Sequence, residues 1–106
     1  MSGAAESSLW QTIEHAYSTD HPTAAGHFPG NPIIPGALLL DHVLRAMALP
    51  EALREVRSAK FLRPVRPGDR VVIRWRALDN NDVAFECRLA VTDEPALVGS
   101  LVGKTE

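Results

Sequence analysis

The sequence has one cysteine, no excess of basic residues and no long apolar run, and each of these absences excludes a class of protein. Because Cys87 has no second cysteine to pair with, an internal disulfide is excluded and a reducing compartment is expected. A formal charge of −2 at pH 7 argues against general nucleic-acid binding. No apolar run approaches the roughly 18 residues that a membrane-spanning helix needs. The first residues also lack the basic and apolar regions of a signal peptide, so we expect a cytoplasmic protein.

The length of 106 residues fits one small domain. Hydrophobic residues make up 45% of the chain, which is enough to form a core, although a chain this short buries a limited share of its surface. Residues 1–8 are small and polar and predict a disordered tail. We therefore expect a single domain over residues 9–106.

Positive charge is concentrated in the middle of the chain. Residues 54–76 contain eight Lys and Arg side chains against two acidic ones, Glu55 and Asp69, which gives a local net charge of +6. A solvated basic face is the default interpretation of such a cluster. An acidic macromolecular partner or an anionic ligand is the alternative.

A rigid loop followed by an apolar helix is the most distinctive part of the sequence. Residues 26–36 contain three prolines and three glycines, so this loop has few conformations to lose on folding. The pattern from Gly36 to Leu49 predicts a helix, which Pro50 stops. The helix is apolar on nearly all sides, interrupted only by Asp41, His42 and Arg45. Such a helix must be buried almost all round.

Alternating polar and apolar residues predict the strands that surround this helix. Together they predict an α+β fold in which an antiparallel sheet of about five strands wraps round one long central helix. Five strands are too few to cover a helix of this length, so we expect a second copy of the chain to complete its burial. A helix is the alternative for the first segment. The predicted strands are Leu9–Tyr17, Glu55–Leu62, Arg70–Leu78, Val83–Thr92 and Ala96–Val102.

Three groups in the loop and the helix suit acid–base chemistry. His27 lies in the rigid loop and can exchange a proton near neutral pH, although an isolated histidine is more commonly a surface or structural residue. Asp41 lies among aliphatic neighbours, where a carboxylate is costly without a role; an ion pair with Arg45 is the alternative. Gly36 begins the helix, where free N–H groups favour negative charge on a thioester carbonyl. Together these groups suit removal of a proton at C2 of an acyl thioester with loss of the C3 hydroxyl.

The run from His27 to Gly36, with a carboxylate five residues beyond it, resembles the 3-hydroxyacyl-[acyl-carrier-protein] dehydratases of bacterial fatty-acid synthesis. Residues 59–69 resemble a second segment of the same family, and the matches together span about residues 9–102. The resemblance implies the hotdog fold, in which a curved antiparallel sheet wraps one long helix, and it implies no cofactor. The Leu39–Val43 run resembles the short accessory dehydratases of aryl-polyene and similar lipid pathways.

The resemblance also implies a role for each residue that matches the motif. His27 is the acid/base, and Asp41 from the other subunit of a homodimer (or of a higher oligomer) is its partner at the C3 hydroxyl. The Gly36 N–H binds the thioester carbonyl, and Phe28 and Ala37 contact the substrate. The family's substrate is a 3-hydroxyacyl chain on an acidic acyl carrier protein, which would give the basic cluster a use.

One departure from the family keeps two other functions open. Arg45 stands where the family usually has Gln, and pairing with it would favour the charged form of Asp41 and hinder proton transfer. The alternatives are a hotdog acyl thioesterase, with Asp41 placing a water on the carbonyl, and a non-catalytic acyl-binding module. No metal site is expected, because the spacings of the four histidines do not place two of them on one helical face. These histidines are His15, His21, His27 and His42.

Overall fold

The computed structural model describes residues 10–20, 32–50 and 55–103, and these residues form five strands and one helix. The helix follows the first strand, and the remaining four strands follow the helix. In chain order the elements are β1 (Gln11–Ala16), α1 (Gly36–Met47), β2 (Val56–Phe61), β3 (Arg70–Ala77), β4 (Val83–Leu89) and β5 (Pro95–Leu101).

The five strands form one antiparallel sheet in the order β1-β3-β4-β5-β2, so that β1 and β2 are its edges. The register places one residue of each strand in a row across the sheet, and side chains in such a row point to the same face. This row is Ile13, Ile73, Cys87, Leu97 and Phe61. The predicted sheet of about five antiparallel strands is confirmed.

Helix α1 packs on this face of the sheet. Leu39, Val43 and Met47 recur at the helical spacing of four residues and are almost completely buried. On β3 the predicted alternation is confirmed at Val71, Ile73 and Trp75, whereas Ala77 at the strand end is exposed. Burial of an aliphatic side chain contributes about 1.5–3 kcal/mol, so the stripe on α1 fixes the rotation of the helix about its axis. The buried side chains form one cluster: Tyr17, Ile34, Leu39, Val43, Met47, Val65, Val71, Ile73, Trp75, Val83, Phe85, Cys87, Ala96, Leu97 and Leu101.

In a single copy α1 is covered on one side only, and its predicted burial by a second copy stays a prediction. The sheet covers one side of the helix, and Ala37, Asp41 and Arg45 on the other side are exposed. Several aliphatic side chains between these two sides are only partly buried and pack against the core from its margin: Leu38, Leu40, Leu44, Ala46 and Leu49.

Two element ends differ from the predicted boundaries because of local backbone geometry. The helix ends at Met47, because Ala48 adopts a left-handed conformation (φ 53°) and its N–H bonds to the Arg45 carbonyl. Strand β4 ends at Leu89 rather than at Thr92. The chain turns there at Asp93, which has φ 61° and donates its N–H to the Leu89 carbonyl at 2.8 Å. Aspartate tolerates this left-handed conformation better than most residues.

Two expectations concern the tail and the membrane. Residues 1–8, the predicted disordered tail, lie outside the described residues. Within the described ranges, no helix is both long enough and apolar enough to cross a membrane.

Candidate active site

The start of α1 is held against the segment that follows β2. Ile34 donates its N–H to the Val65 carbonyl at 2.7 Å, which ties the approach to the helix to residues 62–65. Pro35 is the N-cap residue, and its carbonyl accepts the N–H of Leu39 at 2.9 Å. The N–H groups of the first turn, beginning with Gly36, have no carbonyl partner within the helix. The helix therefore begins at Gly36, as predicted, and its free N–H groups lie there.

A cavity of about 300 Å³ opens beside Gly36. The side chains of its wall are apolar except for that of Arg63. A Cβ at Gly36 would lie 3.1–3.4 Å from the ring of Phe61, which borders the same cavity. The lining residues are Ile33, Ile34, Gly36, Leu39, Phe61, Leu62, Arg63, Pro64 and Val65.

Asp41 lies on the open side of α1. Its side chain is 50% exposed, and its carboxylate accepts a 2.9 Å bond from Nε of Arg45. The carboxylate faces away from the core, so the expected cost of burying it among aliphatic neighbours does not arise in the described chain. The ion pair foreseen as the alternative is present. Both partners are exposed, so the pair contributes little to stability.

The predicted site residues fall into two groups. Gly36, Ala37 and Asp41 lie along α1, and Asp41 is about 7.5 Å further along the helix axis than Gly36. Ala37 is exposed in the first turn, on the side of the helix that the sheet does not cover. His27 and Phe28 lie outside the described residues, so their roles and their distance from Asp41 stay predictions.

A cluster of three rings was missed at the sequence level. The Tyr17 hydroxyl lies 2.9 Å from Nδ1 of His42, and the His15 ring meets the Tyr17 ring edge-on with centroids 4.6 Å apart. Burial, reinforced by nearby Cys87, raises the pKa of Tyr17 to about 12. The available signal was that His15 and Tyr17 lie two positions apart in the predicted first strand. The third ring, that of His42, lies 25 positions beyond Tyr17.

The basic cluster does not form a uniformly positive surface. Four of its arginines pair with carboxylates that lie outside residues 54–76, so the local charge of +6 in the sequence is partly neutralised in the fold. The pairs are Arg57–Asp82 (2.6 Å), Arg63–Glu94 (3.2 Å), Arg70–Glu14 (3.7 Å) and Arg74–Glu86 (3.0 Å).

The single cysteine is a packing residue. Cys87 is fully buried in the middle of β4, and burial raises the pKa of its thiol to about 12, so it is a poor nucleophile near neutral pH. In the part of the chain that the structure describes, no three His, Cys, Asp or Glu side chains are grouped so that they could hold a metal ion.

Comparison with known proteins identifies the family. A profile described as ApeI-like, ApeI dehydratase, matches residues 5–98, which include both the loop motif and Asp41. The chain belongs to the ApeI-like dehydratase family. The family predicted from the His27–Gly36 run, including its short accessory branch, is therefore confirmed.

Individual relatives agree with this assignment. The chain is 32% identical over 102 residues to a 3-hydroxyacyl-[acyl-carrier-protein] dehydratase FabZ of Chloroflexus aggregans, covering 84% of this chain and 71% of the relative. Across eight such curated relatives, the matched part spans 46–71% of their length.

Solved structures confirm the hotdog fold. The dehydratase heterocomplex ApeI:P from Xenorhabdus doucetiae superposes with a TM-score of 0.69 at 21% identity, over 88% of this chain and 85% of that one. An acyl-CoA hydrolase from Staphylococcus aureus superposes with a TM-score of 0.64 at 18% identity, over 94% of this chain and 66% of that one. Both a dehydratase and a hydrolase thus share the hotdog fold of this chain.

Proposed function

We propose that this ApeI-like protein dehydrates 3-hydroxyacyl thioesters, carried on acyl carrier protein, to trans-2-enoyl thioesters. The observation that carries the proposal is the family match over residues 5–98, which spans the His27–Gly36 motif and Asp41 together. The apolar cavity beside Gly36 supports it, because an acyl chain and its thioester carbonyl fit such a wall. We place the activity in fatty-acid or polyene lipid synthesis in the cytoplasm, where the lone Cys87 stays reduced.

In this mechanism each group has one task. The Gly36 N–H holds the thioester carbonyl oxygen, where negative charge develops when a C2 proton is removed. His27 takes that proton, and the electron pair of the C2–H bond forms the new double bond as the C3–O bond breaks. Asp41 binds the C3 hydroxyl, which leaves as water with the proton returned by His27. Phe28 and Ala37 border the substrate, and no cofactor is needed.

We also propose that the working unit is a homodimer joined along β2. This strand is a sheet edge, and all six of its residues are exposed. An exposed edge strand is a template for pairing with another chain. Val56, Phe61 and Leu62 are exposed apolar side chains on or beside it, and Phe61 also borders the Gly36 cavity. Pairing of two β2 edges would therefore close this cavity, and the open side of α1 with Asp41 would face the second copy.

Complementation between two inactive variants tests both the activity and the shared site. His27→Ala and Asp41→Asn are each expected to lose at least about a hundredfold in kcat, since each removes a group that acts on the reacting atoms. In an equimolar mixture refolded together, half of the dimers combine one of each variant, and one of their two sites is intact. The mixture should therefore recover about a quarter of the wild-type rate by symmetry.

The product separates the proposed reaction from its alternatives. A 3-hydroxyacyl thioester should give an enoyl thioester, followed by its absorbance, without release of free thiol. The acyl-CoA hydrolase among the structural neighbours makes a thioesterase the second candidate, and free thiol as the main product would favour it. Equal and negligible turnover by wild type and His27→Ala, with acyl carrier protein still bound, would favour the non-catalytic module. Loss of activity in both variants with none regained on mixing would place the whole site in one subunit.

A further inference from the structure

The ring cluster of His15, Tyr17 and His42 lies where the edge strand β1 meets helix α1. The Tyr17 hydroxyl is 2.9 Å from Nδ1 of His42, their rings are stacked at 5.6 Å, and the two imidazoles lie 6.0 Å apart. The backbone of Tyr17 is fixed on both sides, because its N–H bonds to the Asp69 carbonyl and its carbonyl accepts the Gly68 N–H, each at 2.9 Å. Through His42, the helix is therefore bonded to a residue whose backbone is held in place.

The direction of the bond between Tyr17 and His42 follows from their protonation. Burial raises the pKa of Tyr17 to about 12, so its hydroxyl keeps its proton throughout the neutral range. A phenol is a good donor and an imidazole nitrogen a good acceptor, so Tyr17 donates to Nδ1 of a neutral His42 that carries its proton on Nε2. An imidazolium carries a proton on both nitrogens and cannot accept this bond. The contact would persist only with its direction reversed, which takes the buried phenol proton away from its acceptor at Nδ1.

The same helix turn carries the carboxylate of the proposed site. Adjacent residues on a helix point about 100° apart, so His42 and Asp41 are set together by one rotation of the helix. Leu39 and Val43 hold that rotation from the sheet side, and His42 is bonded to Tyr17, the residue that directly follows β1. Tyr17 bonds to His42 from the β1 side and is not among the residues that line the cavity beside Gly36.

Building on the proposed function, we propose that Tyr17 and His42 are positioning residues: their hydrogen bond holds the turn that carries Asp41 while His42 is neutral and releases it when His42 takes a second proton. Other titratable or charged groups near this bond are His15 on β1, Cys87 on β4, and Asp41 and Arg45 on α1 itself. Of these, His15 is the other imidazole, the side-chain type that changes charge nearest to neutral pH in its unperturbed form. A matched control must therefore separate it from His42.

Three substitutions in the full-length protein separate the possible causes. Tyr17→Phe removes the donor and keeps the ring. His42→Gln keeps an acceptor oxygen but removes the titration. His15→Gln removes the neighbouring imidazole and keeps the Tyr17–His42 bond. Circular dichroism and thermal unfolding at pH 8 establish that each variant is folded.

The first measurement does not depend on activity. Ring ¹⁵N NMR at pH 8 should find His42 with its proton on Nε2 in the wild type and in His15→Gln, and a mixture of tautomers in Tyr17→Phe. Amide hydrogen exchange at residues 40–43 should speed up relative to the rest of the helix between pH 8 and pH 6 in the wild type and in His15→Gln. In His42→Gln this relative acceleration should disappear, because its amide accepts the bond at every pH.

The second measurement is the ratio of kcat at pH 6 to kcat at pH 8. This ratio should be low in the wild type and in His15→Gln and should rise in His42→Gln. Tyr17→Phe should lower kcat at pH 8 about fivefold, the effect of one hydrogen bond, with KM unchanged. Exchange that behaves as expected in a protein without dehydratase activity would support the positioning contact and refute the proposed reaction. A His42 proton on Nδ1, or the same pH dependence of exchange in His42→Gln as in the wild type, would overturn the positioning contact itself.

Discussion

Replacement of Gly36 by alanine should separate the fold of this protein from its activity, with Gly99→Ala as the structural contrast. Both glycines lie close to an aromatic ring, but the two rings differ in their freedom to move. At Gly36, a Cβ would lie 3.1–3.4 Å from the ring of Phe61, which is 49% exposed on an edge strand. A shift of a few tenths of an ångström removes this contact, and alanine favours a helix over glycine by up to about 1 kcal/mol.

At Gly99 no such movement is available. A Cβ there would collide with the Ser58 backbone carbonyl and would lie 2.6 Å from Cζ of Phe85, which is 1% exposed. The collision falls on the pairing of β2 with β5, where Gly99 lies opposite Ala59. Overpacking of this kind costs about 3 kcal/mol. For a domain of this size, a loss of about 3 kcal/mol lowers Tm by roughly 12–24 °C.

The assay combines thermal unfolding with enoyl thioester formation. Gly36→Ala should change the unfolding free energy by less than about 1 kcal/mol, yet lower kcat/KM at least about tenfold, because the new methyl group displaces the carbonyl from its N–H donor. Adding Phe61→Leu to Gly36→Ala should relieve the ring contact without restoring kcat/KM. Wild-type kcat/KM in Gly36→Ala would refute the placement of the thioester at the helix start. A loss of about 3 kcal/mol of unfolding free energy in the same variant would show that the Phe61 ring cannot move away from the new methyl group.

Two further predictions concern buried titratable groups. Asp82 is buried and accepts bonds from Nε of Arg57 (2.6 Å) and from the Gly103 N–H (2.8 Å), which lower its pKa, the guanidinium bond most. The stability it contributes is present above the ordinary aspartate pKa of about 3.9 and is lost as the pH falls through the lower folded value, so Tm should drop in acid. Asp82→Asn should lower Tm at pH 7 and flatten this acid drop; an unchanged Tm–pH curve would contradict the role of the carboxylate. Cys87 should react with a disulfide thiol reagent at pH 8 only as fast as the protein opens, and at once in guanidinium chloride, because its thiol is fully buried with a pKa of about 12. Rapid reaction of the native protein would argue against this burial.

Local pattern was enough to predict the strands and the helix. The alternation of Val71, Ile73 and Trp75 identifies the buried face of β3, and the turn chemistry around residues 79–82 separates β3 from β4. Gly36 was placed at the start of the helix because the loop rich in proline and glycine gives way there to an apolar run. These features depend on residues a few positions apart, which is the range over which sequence periodicity carries information.

Contacts between distant segments could not be read in the same way. The Tyr17–His42 bond and the Arg57–Asp82 pair each join residues 25 positions apart, and the sheet order decides which of them meet. The exposure of Asp41 was missed for a related reason. Its neighbours in sequence are aliphatic, but which side of an almost wholly apolar helix faces the sheet depends on the packing of the whole domain.

The features that leave one copy of this chain incomplete are also the ones that the proposed reaction needs. The sheet covers one side of α1 and leaves Asp41 open, with partly buried aliphatic residues along both margins of the helix. The free edge of β2 ends at Phe61, whose half-exposed ring also borders the cavity beside Gly36. A second copy on this edge would bury apolar surface that a small domain cannot cover alone. In the same step it would bring another subunit's His27 loop towards Asp41. A substitution that blocks β2 pairing, such as Ala59→Pro, should therefore lower stability and activity together, whereas His27→Ala should lower activity alone.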